Sequence, residues 1–430
     1  MIPRRIAVVG AGWAGIAAAV HARRAGHEVQ VFEMAPQPGG RARSVPVGGF
    51  VLDNGQHILI GAYAATLELM REVGADPARV LKRLPLALKY PDGQGLQLRG
   101  GAPMPDFVRA VLGRAGWGWR PRLALLAHAA RWAVGGFACA PTLSVAELCR
   151  GLPRVVQTQL VEPLCVAALN TPAAQASAQV FLRVLHDALF GGRGASDLLL
   201  PAAPLGALLP EPAMAWFDAH GVRLRVGTRV SQLQASAAGW QVDGEAFDAV
   251  VLACSAVEAA RLCRDIAPGW AQQAAALRYE PIVTVYLQSP GTRLRLPMTL
   301  LDASADAPAQ FVFDLGALGS ADGVFAFVIS GARDWVERGL QATAQATQAQ
   351  ALAAFAPGTW PVPPTVLHVG AEKRATFQCT PGLQRPPARI AANLWAAGDY
   401  VAGPYPATLE GAVRSGRQAA QDAGMQFAVP

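Results

Sequence analysis

Apolar runs and polar breaks divide this chain into short strands and helices whose order is α/β at both ends and mixed in the middle. Residues 6–9 form a β-branched, uncharged run, the pattern of a strand buried on both faces. Residues 14–25 have helical composition and stop at Gly26, and residues 28–32 form a second strand. Strand, helix and strand in that order predict a parallel sheet. Residues 64–73, 144–152, 155–168 and 176–189 read as helices, and 102–135 carries many Arg and Trp residues on a helical pattern. A helix over 210–220 precedes short strands at 222–226, 229–234 and 240–242. The apolar run 247–253 returns to the first sheet. Residues 281–288, 310–314 and 324–330 keep the strand period and predict an antiparallel sheet. A helix over 334–355, which includes the Ala/Gln-rich stretch 341–354, leads to a strand at 394–397 and a last helix at 408–423.

The expected fold class is therefore α/β. A Rossmann-type dinucleotide-binding domain takes residues 1–62, 206–276 and 376–430. An inserted α+β substrate domain takes 63–205 and 277–375, with a helical segment at 103–135.

The first turn carries Gly10, Ala11, Gly12, Trp13, Ala14 and Gly15 between strand and helix. Gly10 permits the tight turn, Gly12 lets backbone approach a pyrophosphate, and Gly15 lets helix and strand pack closely. The helix N-terminus adds free N–H groups and a partial positive charge. Glu33, at the end of the second strand, suits a ribose hydroxyl. No second such motif follows a strand, so a separate pyridine-nucleotide domain is not expected, and the electrons must come from substrate or from an external donor.

Composition changes this picture little. The chain is 52% hydrophobic and 16% charged, which leaves room for a large interior or a lipid-sized cavity. The net charge of +7 fits either an arginine-rich composition bias or attraction to anionic lipid. No dense basic run or motif points to nucleic acid. The six cysteines form no C-x-x-C pair and no zinc spacing, so no metal is expected, and a reducing, cytoplasmic compartment follows. Arg4 and Arg5 before an uncharged run imitate a signal peptide, but the three fingerprint glycines lie in that run. No apolar stretch reaches the ~18 residues of a spanning helix.

Two further segments resemble the signatures of the amine oxidase and phytoene desaturase superfamily of FAD enzymes. One is Gly39-Gly40-Arg41-Ala42-Arg43. The other joins Ala397-Gly398-Asp399 to Pro406-Ala407-Thr408-Leu409-Glu410-Gly411-Ala412. The resemblance implies FAD as cofactor. It implies that Gly40, Arg41 and Ala42 lie near its phosphates, that Gly398 and Asp399 lie near ribitol, and that Thr408 and Leu409 lie at the flavin's pyrimidine end. The backbone at Val230 would meet adenine. Leu52-Asp53-Asn54-Gly55-Gln56-His57 and Glu162 to Pro172 are similar to the hydroxysqualene dehydroxylase family, also called squalene-associated FAD-dependent desaturases. Gly55, Gln56 and His57 would lie beside the isoalloxazine.

That resemblance implies a C30 isoprenoid substrate whose allylic hydroxyl is replaced by hydrogen, with an external electron donor for the flavin. It leaves open an oxidative carotenoid or phytoene desaturase and a non-catalytic prenyl-lipid carrier. Thr408, where amine oxidases often carry an aromatic residue, counts against an amine oxidase. His57 is the first candidate for proton donor, oriented by Asp53 and Gln56; the other reading is a hydrogen bond to FAD or backbone. Interleaved Arg109, Arg114, Trp117, Trp119, Arg120, Arg122, Arg131 and Trp132 suit a helix at a membrane surface, or helix packing with surface arginines.

Overall fold

A computed structural model describes residues 2–237 and 239–425. The opening unit forms as expected. Arg5–Val9 is a strand, Trp13–Arg24 a helix and Glu28–Phe32 the next strand, paired in parallel so that Ile6 faces Val29. On the other side Ile6 faces Ala249. The six-stranded sheet runs in the order Arg223–Arg225, Glu28–Phe32, Arg5–Val9, Ala249–Leu252, Leu394–Ala396, Arg389–Ala391, and only the last pairing is antiparallel. The apolar runs are buried on both faces, as a covered parallel sheet requires.

The C-terminal helix Leu409–Gly424 lies across the first helix. A Cβ on Gly416 would stand 2.1 Å from the Ala14 carbonyl oxygen, so only glycine permits this approach. The two ends of the chain thereby build one layer over one sheet.

A second, antiparallel sheet has the order Met298–Leu300, Phe311–Asp314, Val324–Ile329, Tyr279–Gln288, Thr365–Phe377. One face packs on the Leu340–Ala354 helix through Val283, Val285, Phe325 and Phe327. The other face looks toward the loop after the Phe50–Asp53 strand, with Ile282, Tyr286, Ala326 and Val328 in one apolar cluster with Ile58 and Ile60. Asn170 braces this region from a left-handed backbone (φ 48°). Its amide donates to Glu280 O and Thr376 Oγ1, and its Oδ1 accepts from Gly331 N–H.

Several elements differ from expectation. Residues 229–232 are not a strand, because the N–H groups of Ser231 and Gln232 are taken by the Asp243 carboxylate and Arg261 binds the carbonyls of Val230 and Ser231. The strand begins at Leu233. The helix expected over 334–355 breaks at Gly339 (φ 96°) into Arg333–Arg338 and Leu340–Ala354. In the 155–168 helix, Pro163 has no N–H to return to Gln159, and Gln157–Val161 widens into a π-turn. Glycines at 113, 116 and 118 divide 102–135 into the helices Pro103–Leu112 and Trp119–Val134.

Among the described residues no helix is long and apolar enough to cross a membrane.

Candidate functional site

The first turn separates glycines needed by the chain itself from one that is not. At Gly15 a Cβ would sit 1.8 Å from Gly10 O, and at Gly10 (φ 109°) it would sit 2.7 Å from Ala253 O. Gly12 has an ordinary extended backbone, and a Cβ there would meet only Gly40 Cα, at 3.8 Å. Nothing in the protein requires glycine at position 12. The bare backbone leaves an open floor, as close approach of a ligand phosphate demands. Gly12 also caps the first helix with no side-chain cap and no acid in the first turn, so that helix end is free for an anion.

The Gly39–Gly40 turn docks on this floor. Gly39 N–H donates to Ala11 O (2.9 Å), and the Trp13 indole donates to Ala42 O (3.3 Å). Trp13 and Ala42 are buried, so the Trp13 side chain pins the turn, and Trp13 has its backbone N–H rather than its side chain to offer a ligand. Buried Glu33 accepts from Ala11 N–H and Ala35 N–H, both at 2.7 Å. A carboxylate has about four acceptor positions, so ribose hydroxyls still find room. Buried Val230 lies next to this end of the sheet, in one cluster with Val9 and Phe32.

Arg41 joins the signatures. Its Nη2 pairs with Asp399 Oδ1 at 2.5 Å and its Nη1 donates to Ala375 O at 2.6 Å. Asn54 donates to Arg41 O and to Glu372 Oε2, both at 3.1 Å. Burial opposes the Arg41 charge, but the Asp399 carboxylate outweighs it and raises the guanidinium pKa. The Arg41 side chain keeps accessible surface beside the nearly buried Asp399. His57, Tyr63 and Cys254 are likewise only half-buried.

Gly398 N–H donates to Ser415 Oγ at 2.7 Å. Thr408 caps the last helix by accepting from Gly411 N–H at 2.9 Å. Leu409 opens that helix. Fully buried Glu410 accepts from Ala65 N–H, Thr66 N–H, the Thr66 hydroxyl and Arg414, and so ties the cap to the helix Ala64–Glu72.

His57 follows a left-handed Gly55 (φ 88°). Its Nδ1 lies 2.8 Å from Gly55 O. A carbonyl only accepts, so Nδ1 carries the proton and the neutral ring offers Nε2 as a lone pair. Burial lowers the His57 pKa; the Gly55 bond opposes this and Arg41 adds to it. The ring is held neutral at neutral pH.

The expectation that Asp53 orients His57 is corrected. Asp53 Oδ1 accepts from the Ser44 hydroxyl (2.9 Å) and Leu205 N–H (2.8 Å), and Gly55 O orients the imidazole instead. Gln56 lines a small pocket with Asp53 and Tyr286, and His57 is not in that lining. Tyr286 itself donates to Asp53 O (2.8 Å).

Burial raises the Asp53 pKa to about 6, against the two bonds that lower it. The folded state therefore binds this proton more tightly than the unfolded chain, and stability from this group falls as pH rises from about 4 to about 6. Asn at 53 keeps an oxygen for both donors. Asp53→Asn is expected to flatten that slope and to raise stability above pH ~6 by up to about 3 kcal/mol, read by denaturant melts at both ends of the window. An unchanged slope counts against a buried, ionising Asp53.

Tyr63, Glu372, Glu410, Ser415 and Tyr286 were not marked by sequence motifs as site residues. Glu410 stood in a quoted signature without a role. Tyr286 and Glu372 lie on strands whose partners are far away in the chain, so only the fold brings them to the site.

Residues 13–423 match the family described as flavin containing amine oxidoreductase. The chain belongs to that family. Its cofactor is FAD, and it is an FAD-dependent oxidoreductase. It is similar to the hydroxysqualene dehydroxylase of Sinorhizobium fredii, 27% identical over 97% of this chain and 98% of the relative. It is similar to that of Rhodopseudomonas palustris, 29% identical over 97% of both. The resemblance read from 52–57 and 162–172 thus extends along the chain. Matches to carotene and phytoene desaturases cover 16–25% of it. An oxidoreductase structure from Methanosarcina mazei superposes with a TM-score of 0.74 at 15% identity over 97% of this chain and 100% of that one, which shows a shared fold.

Proposed function

We propose that this flavoenzyme is a hydroxysqualene dehydroxylase, replacing the allylic hydroxyl of hydroxysqualene with hydrogen to give squalene. The observation that supports this most is end-to-end similarity to dehydroxylases, against local similarity to desaturases.

In this reading the division of the chain into an FAD domain (1–62, 206–276, 376–430) and a substrate domain (63–205, 277–375) follows the two sheets. The pyrophosphate would rest on Gly12 and the first-turn N–H groups of Trp13, Ala14 and Gly15. Glu33 would take the adenosine ribose, and backbone at Val230 would meet adenine. Gly40, Arg41 and Ala42 with Gly398 and Asp399 would hold the middle of the cofactor. Gly55, Gln56 and His57 with Thr408 and Leu409 would hold its ring end. Reduced FAD, when bound, supplies a hydride. The chain's own residues hold the substrate, exclude water from a cation formed as the hydroxyl leaves as water, and move one proton. His57 gives that proton to the leaving oxygen from Nε2 in its protonated form. An external donor reloads the flavin, and the enzyme works at the surface of the cytoplasmic membrane.

The test is direct. Dithionite-reduced protein, mixed anaerobically with hydroxysqualene, is expected to yield squalene. A product with an added double bond instead, made only by oxidised protein, moves the chain to the oxidative desaturases. Purified protein that carries no flavin returns it to a lipid carrier.

A further inference from the structure

The helix Trp119–Val134 has two apolar faces. Its inner face buries Leu125 and Ala129, with Leu126 and Trp132 packed partly against the same cluster. Its outer face should be polar in a helix that meets only water. Instead Trp119, Leu123, Ala127, Ala130 and Val134 follow one another at spacings of four, four, three and four, all exposed. Trp119 is 66% exposed, Leu123 51% and Val134 92%. The stripe contains no polar residue and is flanked by Arg120 and Arg131.

The charge carried by this stretch of chain has one sign. No acidic residue occurs between Asp106 and Glu147, while Arg109, Arg114, Arg120, Arg122 and Arg131 fall in that stretch. Arg109 pairs with Asp106, and Arg122 bonds carbonyls of Leu112 and Arg114. Buried Arg114 bonds Gln159 and the Ala115 carbonyl. Among the described residues no carboxylate pairs with Arg114, Arg120, Arg122 or Arg131. The helix therefore offers an apolar stripe flanked by the exposed Arg120 and Arg131, which no carboxylate among the described residues pairs. The N-terminal Trp119, with Arg120 over its ring at 5.5 Å, is an amphipathic pair suited to a headgroup boundary.

We propose that this face docks on an anionic lipid leaflet, with the helix lying in the interface and the stripe among the acyl chains. The stripe ends beside an aromatic cluster, Phe137, His186 and Phe190, with ring centroids 5.3–5.8 Å apart; Phe190 is 47% exposed. From there His186 bonds Asp187 (2.9 Å), Asp187 bonds Arg183 (2.9 Å), and Arg183 reaches the Tyr405 hydroxyl (3.4 Å), three residues before the Thr408 cap. Docking of the stripe puts this cluster at the membrane, where a lipid substrate has to leave the leaflet. The purpose rests on the lipid-substrate reading; the docking does not.

The experiment is flotation of the FAD-loaded full chain with vesicles of phosphatidylcholine alone and of equal parts phosphatidylcholine and phosphatidylglycerol. The wild type is expected to float with the anionic vesicles and much less with the neutral ones. Leu123→Glu/Val134→Glu is expected to lose recovery at least about tenfold, with flavin content, melting temperature and turnover on detergent-dispersed substrate unchanged. Equal flotation of variant and wild type overturns the proposal, as does a wild type that stays with neither vesicle. A wild-type dimer in sedimentation that the variant splits to monomers also overturns it and assigns the face to a second copy. Because flotation needs no substrate, its failure and the failure of the dehydroxylase reading are separate results.

Discussion

Gly12→Ala is expected to fold normally and to lose FAD, while Gly15→Ala is expected not to fold. Neither result follows from the glycine pattern alone; the difference comes from what a Cβ would meet. At position 15 it would lie 1.8 Å from Gly10 O, inside the contact that holds helix to strand. At position 12 its sole neighbour is Gly40 Cα at 3.8 Å, an ordinary contact, and the backbone there is extended. The added methyl occupies the floor on which a pyrophosphate must rest. Losing one or two hydrogen bonds to a charged phosphate, at about 1.5–3 kcal/mol each, weakens FAD by about 10- to 10⁴-fold. Circular dichroism of the flavin-free variant and titration with FAD read the two effects separately. A Gly12→Ala protein that binds FAD as tightly as wild type removes the pyrophosphate from this turn.

His57→Ala and His57→Gln are expected to lose about 10²–10⁴-fold in turnover with FAD still bound. The sign of the pH dependence follows from the ring's surroundings. Burial first, and Arg41 in addition, lower its pKa, so the donating form is the minority at neutral pH. Turnover by the wild type should therefore rise as pH falls, and level off below the depressed pKa. Gln at 57 can hydrogen-bond but cannot titrate, so the acid-side rise should vanish. A wild-type profile with no acid-side rise leaves His57 as an acceptor at Nε2 and puts the proton donor elsewhere. The burial of Asp53 against Ser44 and Leu205 already sets it apart from the imidazole.

The first layer was legible because its signals are local. Strand, glycine turn, helix and strand lie within one stretch, and Gly39, Gly40 and Gly398 recur in recognisable company. Elements failed where a side chain far along the chain took over backbone groups. Asp243 claims the N–H groups at 231 and 232, and no periodicity in 229–234 announces that. The strand Thr365–Phe377 went unread because it is a half-exposed sheet edge and shows no alternation of burial. The site was half legible. Motifs pointed to Arg41, Asp399 and His57, but the pairing of Arg41 with Asp399 joins positions 358 residues apart. The tautomer of His57 depends on a carbonyl two residues away whose direction is set by the turn at Gly55. The outer stripe of Trp119–Val134 could be told from core only once Leu125 and Ala129 were seen on the opposite face.

The reductive direction is tested most directly by isotope transfer. Enzyme reduced anaerobically in deuterated water is mixed with hydroxysqualene in the same solvent, and the lipid is read by mass and NMR spectroscopy. The expected result is squalene with a single deuterium on the carbon that carried the hydroxyl, formed in step with flavin reoxidation. Squalene without that deuterium, or reoxidation with the hydroxyl still in place, contradicts hydride delivery from the flavin to the substrate.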